Sequence, residues 1–328
     1  MNMIRNAFLF GLFLLVFSGC TGLNVTLLPR TEPLEEKVLE GEGRAKVLLI
    51  DLDGVISFKE ESESLLLKKG PSKVAFFREA LLKAEADPDI AGVIIRINSP
   101  GGSVAASDTL YHEIISFRQK KKIPVYAHIM ELCASGGYYV ASAADRIIAS
   151  PTAITGSIGV IAMKFNLEGL FSKIGVSGET YKSGPKKDFW TPFRPSTVEE
   201  KKMLQDIIDK LYARFLDVVY LGRQKVLNEE EVKALADGRI LTAGDALDAR
   251  LIDQMAYLDE TIDTMKKDLH IENVKVVTYV RPKTFKSNIY SGYPEMPLQG
   301  PQVINLISIN AEDLALFSGV QFMYLWNP

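Results

Sequence analysis

Runs of residues that are apolar on both sides of a strand constrain the fold of this chain more than any other feature. Strand candidates of this kind lie at 45–52 (AKVLLIDL), 92–98 (GVIIRIN), 124–129, 146–149 and 158–162. Such strands need cover on both faces, which is typical of a buried, largely parallel sheet. Helical patterns lie between them at 73–86, 104–120 and 136–144. This alternation predicts an α/β fold with crossover connections.

The second half of the chain continues mainly as helix. A long amphipathic pattern covers 197–221, and it opens with Pro195 and Ser196-x-x-Glu199, the signature of a capping box. Further helices are predicted at 229–236 and 258–269.

The N-terminus has the pattern of a bacterial export signal. Arg5 is followed by an apolar run at 7–17, which is shorter than the roughly 20 residues of a membrane-spanning helix. The run ends at Ser18-Gly19-Cys20, which resembles a lipobox, although Phe17 stands where leucine is usual. We therefore expect a lipoprotein-type signal peptide at 1–19. Cys20 would then anchor the exported protein through lipid to the periplasmic side of a bacterial membrane.

The remaining chain divides by composition into three parts. Residues 20–44, with two prolines and several acidic residues, predict a tether, and 45–285 predict the main domain. The tail at 286–328 is rich in Gly and Pro as far as Pro301 and apolar at its end. We favour a terminal strand packed on the domain, and the alternative is an arm that reaches a partner subunit or a substrate groove.

Charge and cysteine content narrow the functional classes. The 328 residues have a net charge of −3 and no Lys/Arg-rich block, so nucleic acid is not an expected partner. The only cysteine besides Cys20 is Cys133, so no intrachain disulfide is expected once Cys20 carries lipid. We interpret Cys133 as a small buried residue.

Two glycine-rich turns follow predicted strands and precede predicted helices. The first is Ser99-Pro100-Gly101-Gly102-Ser103, and the second is Ala134-Ser135-Gly136-Gly137. Glycine lets backbone N–H groups face an oxyanion, and a serine at a strand-to-helix junction is exposed beside the positive end of a helix. One turn is thus suited to supply a nucleophile and the other an oxyanion hole, although either alone would be explained as a tight turn.

A serine nucleophile needs a base. The chain has only three histidines, His112, His128 and His270, and this shortage favours a base other than histidine. Lysine is the alternative, and a cluster of three lies beside aromatic residues at Lys182, Lys186 and Lys187. Lysine acts as a base only when neutral, which burial and neighbouring cations favour. A histidine triad with remote partners stays open at this point.

Several motifs in a fixed order resemble the signal peptide peptidase A family of Ser–Lys peptidases, over about residues 45–260. They are SPGGS, ASGGYYVASAAD, PTAITGSIGVI, YKSGPKKD and DGRILTAGDALDARLID. The resemblance implies a Clp/crotonase-like α/β fold with repeated ββα units and a helical C-terminal extension. It also implies these roles: Ser135 as nucleophile, Lys187 as base, Gly102 with Gly101 and Gly136 as the oxyanion hole, and Ser157 as the residue that orients Lys187.

The same resemblance implies a serine endopeptidase that cleaves hydrophobic peptides, such as remnant signal peptides, at the membrane without a metal or cofactor. It also implies a ring-like homo-oligomer in which Lys187 serves the Ser135 of a neighbouring subunit. Arg250 stands where family members usually have glycine, and the chain holds one copy of the unit that some relatives hold twice. Neither departure touches a predicted catalytic residue.

Three other functions are compatible with parts of the sequence. Asp51-Leu52-Asp53 after an apolar strand is typical of a haloacid dehalogenase-type, Mg²⁺-dependent phosphatase, and Gly244-Asp245 resembles its later metal motif. That reading leaves Ser135 and the SPGG turn unexplained. A crotonase relative would bind acyl-CoA, and a non-catalytic crotonase-fold scaffold would need neither Ser135 nor Lys187.

Overall fold

The computed structural model describes residues 33–59, 61–64, 67–282 and 322–326, so the predicted signal peptide and Cys20 lie outside the described residues. The strands are β1 (Glu35–Gly41), β2 (Lys46–Asp53), β3 (Glu61–Ser64), β4 (Leu67–Gly70), β5 (Ile90–Ser99), β6 (Gly101–Ser103), β7 (Val125–Ala134), β8 (Arg146–Ala149), β9 (Ile154–Gly156), β10 (Ile240–Thr242), β11 (Gln254–Met255), β12 (Lys275–Val280) and β13 (Met323–Leu325). The helices are α1 (Lys73–Ala86), α2 (Val104–Lys121), α3 (Gly136–Ala141), α4 (Glu168–Lys173), α5 (Val198–Arg223), α6 (Glu229–Leu235), α7 (Ala243–Asp248) and α8 (Leu258–Leu269).

A nine-stranded sheet organises the described chain. Its main path runs β1-β12-β2-β5-β7-β8-β11, and β9 joins β7 and carries β10. All pairs from β12 to β11 along the path are parallel, whereas β1 pairs with β12 in the antiparallel direction. The prediction of a mixed α/β fold with a largely parallel sheet is confirmed.

Both faces of the sheet are buried, which explains the doubly apolar strands. One face packs on α1, α2, α3 and α5 through the larger core, in which Phe77, Leu110, Tyr139 and Phe215 are buried. The other face packs on α8 through Ile262 and Met265. None of the described helices is both long and apolar enough to cross a membrane.

Most helix bounds agree with the sequence prediction, and α1 and α8 agree at both ends. The capping box of α5 is one residue later than predicted. Thr197 accepts the Glu200 N–H, and Glu200 accepts the Thr197 N–H, in place of Ser196 and Glu199. The shift leaves Ser196 free to accept a hydrogen bond from Lys164.

Three segments differ from the sequence expectation. Strand β1 lies within the predicted tether at 20–44, so the sheet begins before residue 45. Its pattern is mostly exposed because it is an edge strand, and its charged residues therefore resembled a linker. The strand predicted at 158–162 is wrong, since only Ile161 makes a bridge, with Met323. The tail does end in a strand, β13, which packs on the domain.

Asp51 is part of the folded core. Its carboxylate accepts a hydrogen bond from Arg96 Nε at 2.6 Å across the β2–β5 pair, and side-chain exposure is 2% for Asp51 and 5% for Arg96. Within the described residues, no group of three or more His, Cys, Asp or Glu side chains is placed to bind a metal ion. A buried carboxylate held by a guanidinium explains Asp51 structurally, so the phosphatase alternative loses its nucleophile.

We predict that Asp51→Ala lowers the free energy of unfolding by about 3 kcal/mol or more, because the buried Arg96 guanidinium loses its carboxylate. Denaturant unfolding followed by circular dichroism measures the change. The control is Asp237→Ala, which removes the exposed Asp237–Arg239 ion pair and should change stability little. Equal losses in the two variants would contradict a structural role for Asp51.

Candidate active site

The parallel pairing of β5 with β7 brings the two glycine-rich turns together. The pairs are regular from Val93–Val125 to Ile97–Ile129, after which the next pair is Ser99–Cys133. Four residues of β7 therefore span the same distance as two of β5, which is a bulge. Beyond the bulge, β7 pairs with β9 instead of β8. Both turns follow directly at the carboxyl edge of the sheet, as expected from the sequence.

Ser135 occupies a strained turn between β7 and α3. Its backbone has φ +53° and ψ −114°, a conformation that residues other than glycine rarely adopt. The Ser135 N–H donates to the Gly156 carbonyl at 2.8 Å, which holds the turn against β9. The hydroxyl makes no capping hydrogen bond to α3, and the residue is only 1% exposed. The turn thus resembles the strand-to-helix elbow that presents a nucleophile in hydrolases.

Two backbone N–H groups lie beside Ser135, and they belong to Gly102 and Gly136. A Cβ atom added to Gly136 would lie 3.1 Å from the Gly102 nitrogen, so the two glycines are in close contact. Gly136 opens α3, where the first N–H groups have no partner within the helix. This pair has the chemistry of an oxyanion hole.

Gly101 has a different role from the one predicted. Its N–H donates to Ser99 Oγ at 3.1 Å, so it does not point to an oxyanion. Its φ is +100°, and an added Cβ would lie 2.6 Å from the Gly136 nitrogen. Gly101 therefore shapes the turn and allows the close approach of Gly136, and its own N–H is used within the turn.

Ser157 lies close to Ser135 in the fold. It follows Gly156, which accepts the Ser135 N–H, and its own N–H donates to the Arg239 carbonyl at 2.7 Å. It is mostly buried and has φ +52°. Ser157 thus lies near Ser135, and its role in orienting Lys187 stays a prediction, since no hydrogen bond between Ser157 and a lysine occurs among the described residues.

Neither Cys133, the other candidate nucleophile, nor any of the three histidines is placed for catalysis at Ser135. Burial raises the pKa of the Cys133 thiol well above its usual range, which disfavours the thiolate. His128 is buried between Thr261 and Ser150, and burial together with Arg96 lowers its pKa to about 4. His112 and His270 are exposed on α2 and at the end of α8. Within the described chain, none of the three histidines hydrogen-bonds to Ser135.

The three clustered lysines differ in their partners. Lys182 pairs with Asp188 at 2.6 Å, and Lys186 pairs with Glu199. Lys187 is exposed, and the described residues provide neither a carboxylate within ion-pair distance of its amine nor a hydrogen bond to Ser135. The single chain therefore brings Ser135, Gly102, Gly136 and Ser157 together but leaves Lys187 at the surface.

A network of charges fixes the loop that carries Lys187. Arg194 donates to both carboxylate oxygens of Asp188, at 2.9 Å each, and to both of Glu200. Hydrogen bonds from Arg194 and Lys182 hold the pKa of Asp188 well below its usual range. Arg194 and the Thr197 N–H lower the pKa of Glu200 to about 2. Asp188 is thus paired with Arg194 and Lys182 and not with Lys187.

Two further polar residues, Lys164 and Ser107, make contacts that no sequence pattern predicts. The amine of Lys164 donates to the Arg194 carbonyl and to Ser196 Oγ, and burial, with Arg194 nearby, lowers its pKa. It therefore ties its segment to the start of α5. Ser107 is fully buried on α2, and an added Cβ on Gly136 would lie 2.5 Å from its Oγ. This hydroxyl finds no hydrogen-bond partner among the described residues. Neither residue has a sequence motif that would have identified it.

Comparison with known proteins shows the family to which this chain is related. The model of peptidase family S49 matches residues 117–272. A relative from Enterococcus faecium named signal peptide peptidase SppA is 34% identical over 280 residues, which are 85% of this chain and 80% of the relative. A protease of Methanocaldococcus jannaschii is 31% identical and covers 82% of this chain and 84% of its own length.

A third relative is named for its catalytic type. The chloroplastic serine protease SPPA of Arabidopsis thaliana is 37% identical over 203 residues, which are 61% of this chain and 29% of that protein. The resemblance noted from the motifs is therefore confirmed across most of the chain. The chain belongs to peptidase family S49, and it is a serine peptidase.

Proposed function

We propose that this protein is a membrane-tethered endopeptidase that cleaves hydrophobic peptides, such as remnant signal peptides, through a Ser–Lys dyad. Ser135 is the nucleophile, and Lys187 of a neighbouring copy is the general base. Gly102 and Gly136 stabilise the oxyanion, and Ser157 orients the lysine amine. The observation that carries the proposal is the strained turn at Ser135. Its hydroxyl makes no capping hydrogen bond to α3, and the backbone N–H groups of Gly102 and Gly136 lie beside the turn.

The chemistry requires a base, and the part of the chain that the structure describes places none in hydrogen-bond contact with Ser135. The three histidines are either exposed or held in other hydrogen bonds. Lys187 is exposed on a loop whose backbone the Arg194 network holds in place. An exposed lysine and a buried serine to which no base hydrogen-bonds among the described residues are complementary halves of one site, which supports a dyad formed between copies.

The segment that carries Lys187 has the surface of an interface. Helix α4 buries none of its residues against the rest of the chain. Between residues 163 and 193, the large apolar or aromatic side chains that are more than half exposed are Met163, Leu170, Ile174, Val176, Tyr181 and Phe193. Contiguous exposed apolar residues mark association sites in soluble domains. A second copy of this chain, with Ser135 as the target of Lys187, is the occupant that we propose.

The place of action rests on the N-terminal sequence. An apolar run ending at Gly19-Cys20 supports export and lipid attachment, which would hold the domain at the periplasmic side of a bacterial membrane. Spent signal peptides are released at that membrane and are rich in apolar residues. A lipid-anchored peptidase is therefore close to a hydrophobic peptide substrate, and neither metal nor cofactor is needed for the proposed acyl transfer.

We predict that Ser135→Ala lowers kcat on a short apolar peptide ester by roughly 10³-fold or more, because the nucleophile and its base act as one unit. The matched control is Cys133→Ala, two residues earlier near the end of β7, which should keep most activity. A serine-reactive probe should label the parent and the Cys133 variant but not Ser135→Ala. An active Ser135→Ala variant would overturn the assignment.

We predict that Lys187→Ala and Lys187→Arg are both nearly inactive, because a guanidinium keeps its proton and cannot act as the base. Lys182→Ala and Lys186→Ala should lose little activity, and they control for loss of local positive charge. Steady-state kinetics on the same ester give the comparison. If Lys187→Arg were active, positive charge rather than basicity would be required, and the dyad would be refuted.

A mixing experiment then identifies which copy supplies the lysine. Ser135→Ala and Lys187→Ala proteins are each inactive alone, and mixing them with exchange of subunits should restore part of the activity. Where the two variants meet, the Lys187→Ala protein supplies an intact Ser135 and the Ser135→Ala protein supplies an intact Lys187. Full activity in a parent protein verified as monomeric would rule out a shared site.

We predict that Cys20→Ser abolishes lipid attachment, because the cysteine thiol is the group to which the lipid is joined. Metabolic labelling with a fatty acid and membrane fractionation measure the result, and Cys133→Ala serves as the control cysteine variant. Unchanged mass and unchanged membrane attachment of the mature Cys20→Ser protein would refute the lipoprotein proposal while leaving the peptidase activity untouched.

A further inference from the structure

We infer that the side-chain hydroxyl of Ser107 is a third hydrogen-bond donor of the oxyanion hole, beside the backbone N–H groups of Gly102 and Gly136. It donates to the carbonyl oxygen of the substrate once that oxygen carries the negative charge of the tetrahedral intermediate. The inference rests on the proposed function, because it concerns how the same site stabilises the reaction that Ser135 begins. It adds to the site a residue of α2, which lies outside both glycine-rich turns.

Ser107 lies against both proposed backbone donors. It is fully buried near the start of α2, four residues after Ser103, whose side chain caps that helix. A Cβ atom added to Gly136 would lie 2.5 Å from Ser107 Oγ and 3.1 Å from the Gly102 nitrogen. Because that Cβ would be bonded to the same Cα as the Gly136 nitrogen, the hydroxyl and the two backbone donors lie around one small region.

The fold does not use the Ser107 hydroxyl. Its Oγ has no hydrogen-bond partner among the residues that the structure describes. Serine and threonine side chains on a helix can donate to the carbonyl four residues earlier. Thr109, Ser142 and Thr264 do so at 2.8 to 2.9 Å. Ser107 lacks this bond, so its hydroxyl is available to a group that does not belong to its own helix.

A carbonyl group already fits beside the three donors. The Tyr324 carbonyl oxygen lies 3.0 Å from the same reference point, the Cβ added to Gly136. Ser107 Oγ thus lies near a neutral carbonyl oxygen, yet it forms no hydrogen bond to it. A buried hydroxyl without a partner costs free energy, so stability does not explain this serine. An acceptor that becomes charged during the reaction does explain it.

The proposed reaction supplies such an acceptor. When Ser135 Oγ bonds to the carbonyl carbon of the substrate, its proton passes to the base and the carbonyl oxygen becomes an anion. Gly102 and Gly136 donate their N–H groups to this oxygen, and Ser107 donates its O–H and keeps the proton. The C=O bond then re-forms as the leaving group departs with the proton from the base. A donor that pairs only with the charged oxygen raises kcat, because it stabilises the transition state more than the bound substrate.

Steady-state kinetics of Ser107→Ala on the apolar peptide ester test the inference. We expect kcat to fall roughly tenfold to hundredfold, because one hydrogen bond to a charged oxygen is lost, and KM to change by less than about twofold. The base is untouched, so the pH dependence of kcat should keep its midpoint. An unchanged kcat would overturn the inference, and so would a loss that arises wholly from a shifted midpoint.

Unfolding measurements separate this role from a structural one. Ser107→Ala removes a hydroxyl that has no partner, so the midpoint of denaturant unfolding should stay the same or rise. The matched control is the buried Ser142, whose hydroxyl donates to the Tyr138 carbonyl at 2.9 Å. Ser142→Ala should lower the midpoint and keep kcat. If Ser107→Ala instead lowered the midpoint and raised KM, Ser107 would be a structural residue and the inference would be wrong.

An inhibitor that imitates the tetrahedral intermediate tests the contact itself. A peptide aldehyde forms a hemiacetal with Ser135 and places its oxygen in the oxyanion hole, whereas the corresponding peptide alcohol binds without forming a bond. Ser107→Ala should raise the inhibition constant of the aldehyde about tenfold or more and leave that of the alcohol unchanged. Equal effects on the two inhibitors would contradict a contact made only with the charged oxygen.

The outcomes for Ser107 and for the proposed function are distinct. If the parent hydrolyses the ester and Ser107→Ala is equally active, the third donor is refuted and the peptidase stays in place. A parent chain that neither hydrolyses the ester nor reacts with a serine-directed probe would refute the proposed function, and the role of Ser107 with it.

Discussion

Strands β5 and β7 hydrogen-bond in parallel, and they therefore leave the sheet at the same edge. The SPGG turn and the Ser135 turn have no other reason to be neighbours, since more than thirty residues and helix α2 separate them along the chain. The bulge in β7 then lengthens that strand relative to β5 and passes it to β9, whose Gly156 fixes the Ser135 N–H. The neighbouring positions of Gly102, Ser135, Gly136 and Ser157 thus follow from one strand register.

The elements predicted best from sequence are those determined by local pattern. Helices α1 and α8 have the predicted ends because apolar periodicity and capping residues act within a few neighbours. Ser135 was identified from a turn motif together with the family resemblance. Strand β1 was not predicted, because its edge position leaves charged residues exposed and its partner β12 is more than 230 residues away in sequence.

The features that could not be predicted from the sequence depend on contacts between residues far apart along the chain. The contact between Tyr324 and Gly102 joins residues more than 200 positions apart, and no motif near either one encodes it. Gly101 differs from its predicted role because its N–H donates to Ser99 Oγ, and this detail of turn geometry cannot be read from the motif. The exposure of Lys187 follows from the Arg194 network and α4 rather than from the lysine cluster itself. Candidate site residues could thus be identified from sequence, whereas the distant contacts that set their surroundings could not.

The backbone strain at Ser135 separates folding from catalysis at a single residue. A left-handed φ at a serine costs on the order of 1–3 kcal/mol, and glycine would adopt the same turn without that cost. Stability alone would therefore favour glycine at position 135, whereas the proposed nucleophile requires the hydroxyl that glycine lacks. In a copy of this gene that no longer served as a peptidase, a change of Ser135 to glycine would relieve the strain. A glycine at this position in a related chain would then indicate that the proposed activity has been lost.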